Sequence, residues 1–278
     1  MGMDEPYRKI DLSLENLVIA KRIYHYKKIN STQQLAISLA KSNIDHEHGT
    51  VIVADEQMEG IGRAKKKWAS PIGGLWMSLI IKQKIEIAKI NLISVISAIS
   101  VCEAIYKISH VKSYIKWPND IIINEKKIAG ILIDTNINNS KNDYIIIGIG
   151  ININVDISKI NLSVESNNIL PIRVTSITNE SKVKNINRFT LMKQLLRKLD
   201  FYLSLIQNDK YHNKIIEIYK KLSNLLGKRI VIYHEGLKKN SGIVKDIENG
   251  GGLILEREDK VEEIIYSGEI TIREQNNK

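Results

Sequence analysis

Apolar and polar positions follow two different periods along the 278-residue chain, and the switches between them mark its elements. "STQQLAISLAKSN" (31–43) opens on Ser31 and Thr32, either of which can cap a helix, and then spaces Leu35, Ala36, Ile37, Leu39 and Ala40 at roughly helical intervals. "TVIVADEQ" (50–57) and "GGLWMSLII" (73–81) read as strands on either side of a Gly- and Lys-bearing loop. The run at 91–109, "NLISVISAISVCEAIYKIS", predicts a core helix, since its Asn, Ser and Glu suit a packed interior better than a membrane span. "KWPNDIIINEKKIAG" (116–130) predicts a hairpin turning at Asn124-Glu125-Lys126, and "YIIIGIGININV" (144–155) predicts another strand.

After a polar loop at 156–187, residues 188–206 and 211–226 predict two amphipathic helices, the second stopped by Gly227. From Lys228 the pattern changes to short strands, "KRIVIY", "SGIVKDI", "GLILERE" and "EIIYSGEITI". The expected fold class is α+β: a mixed, hairpin-built sheet with helices packed to one side over residues 1–226, then a small β-barrel over 227–278.

Composition narrows the setting. At 43% hydrophobic residues the chain can bury a sizeable core. A single cysteine, Cys102, allows no intrachain disulfide, and the N-terminus shows no uninterrupted apolar stretch of the signal-peptide kind, so a cytoplasmic location is expected. The net charge of +10 is spread along the chain, with one compact run at Lys65-Lys66-Lys67, so neither nucleic acid nor membrane is an expected partner.

Three stretches carry candidate chemistry. Alternation at 147–154 sorts four isoleucines onto one strand face and Gly148, Gly150, Asn152 and Asn154 onto the other. A strand face without side chains admits either a ligand or a close-packed helix, and the asparagines favour a ligand floor. The loop "QMEGIGRAKKKWASPIGG" (57–74) sets Arg63 and three lysines among spaced glycines, suited to phosphate or carboxylate, although its spacing matches neither a dinucleotide fingerprint nor a P-loop. Pro118 removes a ladder donor and so places Asn119 and Asp120 at a strand end, with Lys127 returning on the partner strand. One aspartate beside cations suffices for Mg²⁺ when nucleotide phosphates supply the other oxygens.

In this order "NSTQQLA", "ADEQMEGIGR", "W.SPIGGLWMSL", "KWPNDI....KIAGIL" and "GIGININ" resemble the biotin protein ligases, and "GKRIVIY" through "SGEITIRE" is similar to their C-terminal SH3-like barrel. The resemblance covers roughly residues 30–275 and implies the class II synthetase-like biotin/lipoate ligase fold. It further implies biotin and ATP as substrates, Mg²⁺ as cofactor, a biotinyl-5'-AMP intermediate, the biotin carboxyl carrier domain of a carboxylase as partner, and room for a homodimer. By matched position it implies biotin contacts for Ser31, Thr32, Gln57, Gly60, Gly62, Arg63, Lys127 and Gly130. ATP contacts are implied for Arg63, Trp68, Lys116, Asn119, Asp120, Asn152 and Arg273, with Lys127, Arg63 and Asp120 carrying the chemistry, Asp120 on the Mg²⁺, and Glu269 beside Arg273 in the C-terminal domain.

The chain departs from the family pattern at Asn30, Ile61, Lys65 and Lys66, and lysine lacks the bidentate fork of arginine. With few apolar anchors, loop 58–67 is expected to be mobile until a ligand orders it, with Ile61 exposed. Two alternatives differ in class. Lipoate or octanoate transfer is the rival enzyme, but a covalent octanoyl route needs a nucleophilic cysteine and Cys102 lies in an apolar helix. A biotin-sensing DNA-binding repressor needs a recognition domain, and about thirty residues precede the Ser-Thr motif.

Overall fold

The structure, a computed structural model, describes all residues except 1–7, 11, 13, 15–16, 43–47, 83–85, 87–88, 138–142, 161–172, 235–236, 267–269 and 275–278. In chain order the elements are β1 (Arg8–Lys9), β2 (Ile23–Ile29), α1 (Thr32–Lys41), β3 (Val51–Gln57), β4 (Leu75–Ile81), α2 (Ile90–Ser109), β5 (Tyr114–Lys116), β6 (Asp120–Ile123), β7 (Lys126–Asn136), β8 (Tyr144–Ile151), α3 (Ile177–Glu180), α4 (Arg188–Leu205) and α5 (His212–Leu222). The C-terminal strands are β9 (Arg229–His234), β10 (Leu237–Ile247), β11 (Leu253–Arg257), β12 (Glu262–Ile265) and β13 (Ile270–Glu274).

Strands β1 to β8 form one sheet in the order β1-β2-β3-β4-β8-β7-β6-β5, parallel only between β2 and β3. The α+β expectation therefore holds, while β2 adds a strand that sequence reading left out. "IYHYKKI" has one apolar residue at each end and polar or aromatic residues between, too weak an alternation to stand out.

The helices lie on both faces, which corrects the one-sided expectation. The odd-numbered residues Leu75, Met77, Leu79 and Ile81 of β4 and Ile145, Ile147, Ile149 and Ile151 of β8 enter the large core formed with α2, α4 and α5. On the opposite face Ala36 and Ala40 of α1 pack with Ile52, Ile80, Tyr144 and Ile146. α1 is too short to cover that face, so the C-terminal halves of β3 and β8 and the start of β7 are left to loops, and the candidate site forms there. By length and composition α2 could cross a membrane, but 72% of its apolar window is buried inside the protein.

The C-terminal strands form a five-stranded antiparallel sheet, β12-β11-β10-β9-β13, as the SH3-like expectation requires. Its Ile230, Ile232, Val244 and Leu255 join the large core, and polar contacts add to that tie. Trp117 Nε1 donates to Gly251 O (2.9 Å) across 134 residues, and Lys220 pairs with Asp246 (2.9 Å). Glu269 lies outside the described residues; Arg273 falls in β13, with its side chain outside them.

Candidate active site

Ser31 caps α1, its side chain accepting from Gln34 N–H, so the next residue presents its groups at the start of the helix. There Thr32 N–H donates to Gln57 Oε1 (2.8 Å) and Thr32 Oγ1 lies 3.0 Å from the same oxygen. Gln57 Nε2 donates to Ser70 Oγ (2.8 Å), which ties the end of β3 to the far side of the basic loop. Gly60 sits in this knot: a Cβ there would meet Trp68 O at 2.4 Å and Ser70 Oγ at 2.6 Å. At Gly62 a Cβ would only touch Lys66 O at 3.4 Å, so Gly62 carries no such constraint.

The loop expected to be mobile is folded in the structure. Gly62 N–H donates to Lys66 O (2.7 Å), Trp68 N–H to Gly60 O (2.8 Å), and Ile61 is half-buried rather than exposed. Ala64 and Lys65 take left-handed conformations (φ 51° and 58°), a local cost for residues with a Cβ. The turn aims Arg63 at the hairpin, where Nη1 donates to Asn119 Oδ1 (3.0 Å). Burial lowers the Arg63 pKa and nearby Asp120 opposes that shift. Asn119 is itself fixed, since its Nδ2 donates to Ile131 O (2.7 Å) and its carbonyl accepts from Ile131 N–H (3.0 Å).

Strict alternation along β7 would send Lys127 to the face opposite Gly130. The register shifts instead: Ile121 pairs with Ala129 and Ile122 with Lys127, so Ile128 is an extra residue. Ile128 and Ala129 both point into the large core, and Lys127 comes round to the side of Gly130 and Asp120. Re-aiming a side chain is what a bulge does. Lys127 Nζ then lies 2.7 Å from Asp120 Oδ1 and 4.9 Å from the centre of the Trp68 ring. Asn124 and Glu125, both at positive φ, close the two-residue hairpin turn. Glu180 braces it, accepting from Asn124 Nδ2 (2.7 Å), Lys126 Nζ (2.9 Å) and Thr175 Oγ1 (2.7 Å).

The glycine face of β8 is not an open floor: the first turn of α1 covers it at Gly148 and the basic loop covers it at Gly150. A Cβ at Gly148 would meet Gln33 Oε1 at 2.3 Å, and one at Gly150 would meet Trp68 Nε1 at 2.6 Å, so side chains of the protein itself lie flat on the strand. Asn152 Nδ2 donates to Thr175 O (3.1 Å), whereas Asn152 Oδ1 and Trp68 Nε1 are buried without a partner among the described residues. Buried polar atoms are normally paired, so this acceptor and this donor could take the polar groups of a ligand. Asn154 is structural, joined to Ile186 in both directions (2.8 and 3.0 Å).

Of the residues singled out from sequence, Thr32 and Gln57, Arg63 and Asn119, Asp120 and Lys127, and Trp68 with Gly130 come together as described. Lys116 is the cross-strand neighbour of Asp120. Sequence reading missed Gln33, Ser70, Ser78 and Glu180; the one visible signal was Ser78, the sole polar residue in the fully buried "LWMSLII". Cys102 is buried and desolvation pushes its thiol up to about 12, which disfavours the thiolate that a covalent route needs.

A cation–carboxylate pair, an arginine held by an asparagine and two unpartnered buried polar atoms thus lie together on one face of a mixed sheet, an arrangement suited in charge to an anionic small molecule. The biotin/lipoate A/B protein ligase family profile matches residues 26–152, and the biotin protein ligase C-terminal domain profile matches 225–273. The bifunctional ligase/repressor BirA of Bacillus subtilis is 37% identical over 142 residues, 51% of this chain and 43% of that protein; its Escherichia coli counterpart is 28% identical over 226 residues, 81% and 67%. This chain thus aligns with less than half the length of the Bacillus relative. The biotin protein ligase from Aquifex aeolicus, solved in complex with biotin and ATP, superposes with a TM-score of 0.73 at 27% identity, covering 92% of this chain and all of that one. Residues 26–152 are thus similar to the biotin/lipoate A/B protein ligase family and residues 225–273 to the C-terminal domain of biotin protein ligases.

Proposed function

We propose that the protein is a biotin protein ligase. One oxygen of the biotin carboxylate attacks the α-phosphorus of ATP, the bond to the β-phosphate breaks, and pyrophosphate leaves as biotinyl-5'-AMP forms. The neutral amine of a carrier-domain lysine then attacks the acyl carbon, AMP departs with the carbon–oxygen electron pair, and the amine proton passes to solvent.

The observation that carries this reading is the bulge of β7, which turns Lys127 onto the face shared by Asp120, Gly130 and Trp68. Lys127 holds the biotin carboxylate and the charge developing on the phosphoryl oxygens, and Arg63 adds a second cation. Most of the rate comes from such positioning and charge neutralisation, since both reactants are anions. Ser31, Thr32, Gln57, Gly60 and Gly62 form the head-group end, and the free Asn152 Oδ1 accepts from the nucleobase amine. Among the described residues no three carboxylates, histidines or cysteines cluster as a metal cage, so Mg²⁺ would be held by Asp120 together with the phosphates. The acceptor is an acidic carrier domain, drawn by the +10 charge, and the location is cytoplasmic.

Pyrophosphate release from Mg·ATP, measured with biotin, lipoate or octanoate, tests the reading. Release should depend on biotin and fall by about 10²-fold or more in Lys127→Ala with folding retained. Equal stimulation by lipoate or octanoate would overturn the assignment.

A further inference from the structure

A buried polar chain runs behind the head-group end of the site. Gln33 Nε2 donates to Asp134 Oδ2 (2.8 Å), Ser78 Oγ donates to Gln33 Oε1 (2.8 Å), and Thr32 Oγ1 lies 2.9 Å from Ser78 Oγ and 3.0 Å from Gln57 Oε1. Gln33, Thr32 and Ser78 are buried, with no exposure at all for Ser78, while Asp134 is half-buried.

Counting protons fixes the direction of this chain. Gln33 gives its NH₂ to the Asp134 carboxyl oxygen, which leaves its carbonyl turned to Ser78. The single Ser78 proton goes to that carbonyl, and Ser78 can then only accept. Gln57 is fixed as well, because its Oε1 already takes the Thr32 N–H and its NH₂ goes to Ser70. Thr32 therefore has one hydroxyl proton for two neighbouring oxygens. Given to Gln57, it would leave two lone pairs facing each other beside the fully buried Ser78, where nothing can intervene. Given to Ser78, it leaves the mismatch between Thr32 Oγ1 and Gln57 Oε1, at the half-buried end that a ligand reaches.

We propose that Asp134, acting through Gln33 and Ser78, sets Thr32 as a hydrogen-bond acceptor, so that Thr32 and Gln57 form a paired acceptor site for a ring N–H of the ligand. This rests on the biotin reading, since a cyclic urea brings such donors and a dithiolane or alkyl chain does not. Asp134, Gln33 and Ser78 are positioning residues, none of which touches the ligand.

Calorimetric titration with biotin tests the chain in variants whose folding is checked by thermal melting. Asp134→Lys leaves only donors at its head, turns Gln33 round and reverses every bond down to Thr32. The biotin Kd should rise about tenfold, although the added positive charge alone would tighten an anion. Asp134→Asn keeps an acceptor and should stay within about twofold. Ser78→Ala alone should weaken binding about fivefold, and in that background Asp134→Lys should add less than about twofold, because the chain is already cut. Parental affinity in Ser78→Ala, or equal effects of Asp134→Lys in both backgrounds, would overturn the chain. A parent protein that binds no biotin would refute the functional reading and this role together, which separates the two failures.

Discussion

Replacing Gly150 by alanine puts the proposed geometry under direct strain. The new methyl would lie 2.6 Å from Trp68 Nε1 and 2.8 Å from its Cε2, against an ordinary contact of about 3.5 Å, so the indole must lift by about 1 Å. Above the ring stands Lys127 Nζ, 4.9 Å from its centre and paired with Asp120 at 2.7 Å, so the displaced ring presses on the cation assigned to the carboxylate. Overpacking of this kind costs about 1–3 kcal/mol, which in a chain of this size lowers Tm by roughly 2–10 °C. A catalytic group moved by about 1 Å can lose on the order of 10²-fold in turnover. Biotin-dependent pyrophosphate release and a thermal melt measure the two effects separately. Gly62→Ala, where the methyl only reaches Lys66 O at 3.4 Å, is the control for the clash and should melt like the parent. Shrinking the ring removes the clash, so Gly150→Ala with Trp68→Phe should recover at least tenfold of the lost turnover, about 1.4 kcal/mol. Parental turnover in Gly150→Ala, or no recovery in the double variant, would refute the idea that the glycine face exists to seat Trp68 beneath Lys127.

Trp117→Phe removes the donor to Gly251 O and should destabilise the protein by about 1–3 kcal/mol through the stranded carbonyl; a denaturation midpoint equal to the parent's would show that water replaces the bond. Burial raises the Glu180 pKa, but hydrogen bonds from Lys126, Thr175 and Asn124 outweigh it and the net shift is down from 4.5, so its stabilisation is present above that value and is lost as pH falls through the lower folded value. Melts across that acid window should show less pH dependence in Glu180→Gln than in the parent, and identical slopes would remove Glu180 from the account. Transfer of biotin from preformed adenylate to an acidic carrier domain should slow as salt rises from about 10 mM to 0.5 M, because steering is screened; a salt-independent rate would leave the +10 charge without that role.

The elements with a strong period were legible from residues alone. The alternation of "IIIGIGININV" does sort isoleucines into the core and glycines to the other face, and the apolar run at 90–109 is the central helix. Local chemistry also fixed the hairpin at Asn124 and Glu125 and the bend at Pro118, since those depend on the allowed φ of a few neighbouring residues. Motif order placed Thr32, Gln57, Arg63, Asp120 and Lys127 in one site. Tertiary structure alone decided which face Lys127 takes, because Ile128 and Ala129 are both drawn into the same core and the strand must bulge to admit them. It also decided what lies on the glycines: a missing side chain announces space, while its occupants, Gln33 and Trp68, come from positions 115 and 82 residues away from Gly148 and Gly150. The polarity of Thr32 was out of reach for the same reason. A hydroxyl's proton is assigned by everything it touches, and its partners Ser78 and Gln57 meet it only when β3, β4 and α1 pack together.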